Sequence, residues 1–160
     1  MKRLVLKFGG TSVGTVEKIK KVAGIIKKKF SEGNEIIVVV SAMAGVTDEL
    51  KAKSDLISKN FDNKELDVLL ASGEQASCSL LSGALIDLGA KARSWLGWQI
   101  PIVTNDNHTS SQIMQIKTDE ILSFISDGGI CVIPCVQGIS TDSRITALGR
   151  GGSDLSAVAI

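Results

Sequence analysis

Lys7 closes a short apolar run, Leu4-Val5-Leu6, and Phe8 leads from it into two glycines and two hydroxyl residues, Gly9-Gly10-Thr11-Ser12. Such a stretch reads as a strand, a tight turn and a helix start, with a cation beside the turn. Glycines let a backbone approach a ligand closely, and the first amides of a helix lack partners within it. Phosphate suits that combination, with the Lys7 ammonium adding a point charge. The spacing is not that of a G-x-x-x-x-G-K-[ST] loop, since Lys7 precedes the glycines. An ordinary βα turn would carry the same residues.

A second cluster, Leu148-Gly149-Arg150-Gly151-Gly152-Ser153-Asp154, sets a guanidinium, a hydroxyl and a carboxylate among glycines at another helix entrance. Arginine grips a carboxylate through two parallel hydrogen bonds. Ser153 as a cap and Asp154 as a complement to the helix dipole would account for their own places without a ligand. Two charged, glycine-rich entrances in one small domain suggest a site for at least two anionic groups. Between them, Ser41-Ala42-Met43-Ala44-Gly45-Val46-Thr47-Asp48 forms another small-residue loop, in which Thr47 or Asp48 is expected to cap the next helix. Glu74, within Ser72-Gly73-Glu74-Gln75, falls inside a largely apolar helical run. A buried carboxylate needs a partner, so Glu74 either faces a cleft or joins a routine salt bridge.

The elements that must position these residues follow from periodicity. Val16, Ile19, Val22, Ala23, Ile26 and Phe30 mark an amphipathic helix over Val16 to Phe30, whose other face holds Lys18, Lys20, Lys21, Lys27, Lys28 and Lys29. That lysine face reads as solvated rather than as a nucleic-acid patch. Glu35 to Val40 is a fully buried strand. A polar helix from Lys51 gives way to a loop near Asn60 to Asn63, and Leu66 to Leu88 is a long helix stopped by Gly89. Ala90 to Trp95 and Gln99 to Val103 read as two short strands, and Thr104 to Gln112 as a polar loop. Thr118 is expected to cap a helix running to Asp127, Ile130 to Pro134 to be a strand, and Ser140 to Thr146 a hairpin or flap. Strands alternating with helices predict an α/β fold, an open and mostly parallel sheet with helices on both faces. In such sheets ligands bind beyond the carboxyl ends of the strands, where both small-residue loops would fall.

The chain has 160 residues, 44% hydrophobic and 22% charged, which fits one globular domain rather than a disordered or membrane-spanning chain. A net charge of +1 gives no general case for nucleic acid or membrane as partner. The start, Met1-Lys2-Arg3, is basic, but Lys7 cuts short the apolar run after it, too brief for a secretory signal, so a cytoplasmic protein is expected. Cys78, Cys131 and Cys135 are read as reduced, partly buried thiols. Cys131 and Cys135 lie on one strand face, but without a histidine pair they predict no metal site. The single histidine, His108, lies in the polar loop, with no nucleophile motif near it.

Taken together, Lys7-Phe8-Gly9-Gly10-Thr11-Ser12-Val13, Val40-Ser41-Ala42-Met43, Val46-Thr47-Asp48, Ser72-Gly73-Glu74 and Gly149-Arg150-Gly151-Gly152-Ser153-Asp154 resemble, in order, the motifs of aspartate kinases of the amino-acid kinase fold. The resemblance implies a three-layer fold and ATP-dependent phosphorylation of the L-aspartate side-chain carboxylate to 4-phospho-L-aspartate. That step opens lysine, diaminopimelate, threonine and methionine synthesis, and magnesium is expected with the ATP. Carried over by motif, Lys7, Phe8, Gly9, Gly10 and Ser41 would hold ATP phosphates, with Lys7 also countering charge on the transferred group. Thr47, Glu74, Arg150 and Ser153 would bind aspartate, Glu74 through its ammonium, and Asp154 would organise the reacting groups. Residues 1–160 would be the N-terminal, substrate- and phosphate-binding part of the kinase domain, truncated before the adenine pocket. A homo-oligomer, or pairing through an unfinished sheet, is expected; an inactive remnant acting as an assembly partner is the alternative. Val158 and Ile160 read as core residues. The chain departs from the family pattern at Cys135-Val136, where members carry Gly-Phe; Cys135 could not stand in for glycine if positive φ were required.

Overall fold

The computed structural model describes residues 2–149 and 157–158. In chain order the elements are β1 (Arg3–Phe8), α1 (Val16–Ser31), β2 (Glu35–Val40), α2 (Val46–Ile57), α3 (Asn63–Asp87), β3 (Ala92–Ser94), β4 (Ile102–Thr104), β5 (Ile113–Ile116), α4 (Asp119–Ser126), β6 (Ile130–Pro134), β7 (Gln137–Ile139) and β8 (Ile145–Ala147). Four strands, in the order β1-β2-β6-β3, make a wholly parallel sheet.

The pleat of this sheet explains the two helical layers. Side chains alternate between faces, so Ile36, Val38, Val40, Ile130 and Val132 meet α1 and α3 through Ile19, Val22, Ile26, Leu81 and Leu85. Their neighbours Ile37, Cys131 and Ile133 point the other way, onto Ile121 and Ile125 of α4 and onto Trp95. A strand buried on both faces needs no polar side, which is why β2 after Glu35 is an unbroken apolar run, Ile36 to Val40.

The expected parallel sheet with helices on both faces is present, and a second sheet lies beside it. This second sheet is mixed, in the order β5-β4-β7-β8, and packs beside α3, with β4 and β7 parallel and the other pairs antiparallel. The Ser140–Thr146 excursion is the turn and returning arm of the β7–β8 hairpin, in which Ser140 N–H donates to Arg144 C=O at 2.9 Å. Val158 is 86% exposed rather than in the core, and Ile160 lies outside the described residues.

Two helix starts differ from expectation. The N-cap of α2 is Gly45, at φ 84°, with no side-chain hydrogen bond, so neither Thr47 nor Asp48 caps the helix. A left-handed backbone favours glycine over both. Thr118 occupies the cap position of α4, but its hydroxyl makes no capping bond.

Candidate active site at the carboxyl ends of the strands

Register brings three loops to one edge. Phe8 pairs with Val40, and Val40 with Pro134, so β1, β2 and β6 end side by side. Backbone bonds then tie the loops together: Ser41 N–H donates to Phe8 C=O at 3.1 Å, and Cys135 N–H to Val40 C=O at 3.1 Å. A cleft of about 440 Å³ opens there, lined by Gly10, Thr11, Ser41, Thr47, Glu74, Val136 and the 42–45 loop.

Gly10 fits its place because nothing larger would. A Cβ on it would stand 2.7 Å from the Ala42 carbonyl oxygen, well inside contact distance. The two small-residue loops therefore pack backbone against backbone. Ser12 N–H closes the glycine turn on Gly9 C=O at 2.9 Å. The helix does not begin directly after the glycines, however. Val13 is fully buried, and α1 starts only after Thr15, whose hydroxyl accepts from Lys18 N–H at 3.3 Å. The Gly9 and Gly10 amides thus belong to a loop, and any anion there meets loop N–H groups rather than the helix dipole.

Lys7 is exposed near the end of β1, its Nζ 3.9 Å from where a Cβ on Gly9 would sit. Phe8 turns its ring to the core. Ser41 is the junction of the site: its carbonyl accepts from Ser77 Oγ of α3 at 2.6 Å, and its hydroxyl donates to Cys135 Sγ at 3.4 Å. Cys135 is buried and does not adopt positive φ, so a thiol is accommodated where a left-handed glycine was in question. Thr47, in the first turn of α2, lines the cleft. Arg150, Ser153 and Asp154 lie outside the described residues, and with them the expected convergence of Arg150 and Lys7 across the cleft.

Glu74 is the chemical centre of the described part. It projects from α3 into the cleft, is 7% exposed, and makes no ion pair among the described residues. One Oε2 accepts the Val136 N–H at 2.9 Å. Burial pushes its carboxyl up to about 7, the Val136 hydrogen bond opposing the rise. A carboxyl in such a place is neutral or charged depending on what approaches, and a cation raises the charged fraction. The salt-bridge alternative thus gives way to the cleft.

Sequence reasoning missed the Val136 amide, the Ala42 carbonyl and the α3 hydroxyl of Ser77. Main-chain groups carry no sequence signal, and Ser77 resembles any helical serine.

The sequence pattern defining the amino acid kinase family matches residues 2–160. The chain belongs to the amino acid kinase family. Among individual relatives, this family member is 44% identical over 157 residues to an aspartokinase of Geobacillus stearothermophilus, covering 98% of this chain and 39% of that protein. Among solved structures it superposes on aspartate kinase from Synechocystis with a TM-score of 0.83 and 40% identity, over 99% of this chain and 26% of that one. Escherichia coli aspartokinase III, solved in complex with aspartate and ADP, shares the fold with a TM-score of 0.78 at 22% identity, over 94% of this chain and 44% of that one. The chain therefore spans less than half the length of each of these relatives.

Proposed function

We propose that residues 1–160 form the N-terminal, substrate- and phosphate-binding part of an aspartate kinase, which transfers the γ-phosphoryl group of ATP to the side-chain carboxylate of L-aspartate. The observation that carries this reading is Glu74, a buried carboxyl without an ion pair among the described residues, facing a cleft at the carboxyl ends of the strands. An ammonium is the group such a carboxyl lacks. Kinship with aspartokinases supplies the rest of the substrate.

In this reading Glu74 takes the ammonium of aspartate, with Thr47 beside it and Arg150 and Ser153 on its carboxylate end. Lys7 and the Gly9-Gly10 amides hold the nucleotide phosphates, with the backbone at Phe8 and the hydroxyl of Ser41 at the loop junction; Asp154 orders the reacting groups. The tight Gly10–Ala42 approach fits a phosphate cradle, since no side chain intrudes on it. Magnesium, bound with ATP, would supply further neutralisation of phosphate charge. The chemistry asks little else of the protein. An aspartate carboxylate oxygen attacks the γ-phosphorus, the bond to the β,γ-bridging oxygen breaks, and ADP leaves with that electron pair. No strong base is required, so catalysis is alignment and charge stabilisation. The product places the enzyme, in the cytoplasm, at the head of lysine, diaminopimelate, threonine and methionine synthesis.

The test is aspartate-dependent ADP formation by the intact protein. Turnover that requires both substrates is expected; ADP release indifferent to aspartate would contradict the assignment. A second reading, a self-associating partner, draws on β1, which pairs only with β2 among the described strands. Edge strands offer unpaired backbone groups to another chain. Light scattering that gives the mass of a single chain would exclude it.

A further inference from the structure

Asp67 and His108 form a buried pair that none of the steps above uses. Asp67 lies on α3, two turns before Glu74, and is fully buried. His108 Nδ1 stands 2.7 Å from Asp67 Oδ2, and Thr109 N–H donates to both carboxylate oxygens, at 3.0 and 3.2 Å. Thr109 sits at φ 67°, a left-handed conformation that a β-branched residue adopts only when its surroundings force it. The carboxylate of Asp67 is what holds it there.

The loop so anchored has one further task. Ser111 N–H donates to Ala147 C=O at 3.0 Å, and Ser111 Oγ to Asn107 C=O at 2.9 Å. Ser110 Cβ lies 3.3 Å from where a Cβ on Gly149 would be. The loop therefore backs onto Leu148 and Gly149, the residues that lead directly into Arg150. A second route reaches the same place from Glu74. Val136, whose N–H holds the Glu74 carboxylate, accepts Leu148 N–H at its carbonyl at 3.0 Å. Gln137 Nε2 pins the same hairpin to Ala71 C=O on α3 at 3.1 Å. The Glu74 end of α3 and its Asp67 end thus grip the same stretch of chain from two sides.

We propose that Asp67 and His108 are positioning residues for recognition of the acidic amino acid, holding the 107–111 loop against Ala147 and Leu148 and, through Leu148, the Val136 amide against Glu74. This rests on the function proposed above. Glu74 would take the ammonium, and the N–H of Val136, whose own carbonyl is tied to Leu148, sets where the Glu74 carboxylate lies. Loosening this anchor lets the Glu74 carboxylate shift while leaving Lys7 and the glycine loop untouched, because neither bonds to α3 at Asp67.

The test uses the intact protein carrying Asp67→Asn or His108→Gln, with kinetics referred to the folded fraction. The KM for aspartate is expected to rise by about tenfold or more, the KM for ATP to stay within about twofold and kcat within about threefold. A fall in kcat or in thermal stability alone, with both KM values unchanged, is the mark of a merely structural pair and overturns the inference. So does an equal rise in both KM values. A second measurement follows the His108 imidazole signal of the wild type by NMR, assigned by its loss in His108→Gln. The signal is expected to shift when L-aspartate is added and not when ADP is added; no response to aspartate overturns the inference. Wild-type protein with no aspartate-dependent turnover sinks the proposed function and this inference together, whereas active wild type with variants of unchanged aspartate KM sinks this one alone.

Discussion

A carboxyl group with one hydrogen-bond donor and little water around it holds its proton longer than one on the surface, and Glu74 is in that position. An unfolded chain releases this proton near the ordinary value of 4.5, the folded protein near 7. Between those values the folded form binds more protons, so stability falls as pH rises and the loss is complete above about 7. Its size is roughly 3 kcal/mol. Glu74→Gln keeps an acceptor for Val136 N–H and removes the titration. Urea unfolding at pH 5 and pH 8 should show the variant gaining about 2–3 kcal/mol on the wild type between the two; parallel pH profiles would contradict the burial of a titrating carboxyl. Beside the glycine turn, Lys7→Ala should lower kcat/KM by about 10²-fold or more, the scale of a lost electrostatic group. A loss below tenfold in active enzyme would remove Lys7 from the chemistry. The sequence singled out both residues, Lys7 by its neighbours and Glu74 as a choice between cleft and salt bridge, and the structure sets Glu74 in the cleft. What decided the choice, the Val136 amide, belongs to the backbone and has no letter of its own.

The site depends on α3 more than on any other element. Along one helix it anchors Arg144 through Glu65, at 2.6 Å, then Thr109, Gln137, Val136 and Ser41. Gly73 lets α2 lie close against it: a Cβ there would meet Val46 Cγ1 at 2.9 Å and Leu50 Cδ1 at 3.2 Å. Gly73→Val would gain a few tenths of a kcal/mol in helix propensity and lose about 1–3 kcal/mol to overpacking. Steric cost wins, because Val46 is branched at its own Cβ and cannot swing aside. Thermal unfolding should show a lower Tm; an unchanged or raised one would mean that α2 yields freely. The extent of α3 was readable from its apolar spacing and from Gly89, which adopts φ 73° at its end. The α2 start was not, since Gly45 caps by conformation rather than by a side-chain oxygen. The strands β5 and β7 escaped for a different reason. Each has only a few residues, and hydrogen bonding to strands distant in sequence defines them, not a pattern of their own.

At the scale of the molecule, a parallel sheet sets three loop-bearing strand ends in register and α3 spans from that edge to the second sheet. The alternation of strands and helices foretold the first sheet; the second, assembled from short segments around a hairpin, could not be separated from it by periodicity. The same packing shields the thiols. Burial pushes Cys78 up to about 12 and Cys131 higher still. Neither should react with an alkylating reagent at pH 8 until the protein unfolds, as mass spectrometry of the labelled chain will show; rapid labelling of either in the folded protein would mean that the core opens. The most direct test of the whole account is calorimetric titration of the intact protein with L-aspartate in two buffers of different ionisation enthalpy. With a Glu74 carboxyl raised to about 7 that ionises to meet the ammonium, binding should release most of a proton at pH 6 and much less at pH 8, and should tighten as pH rises. Glu74→Gln should release none and bind more weakly. Equal binding by the variant, or no proton released by the wild type at pH 6, would contradict a cleft built around this carboxyl.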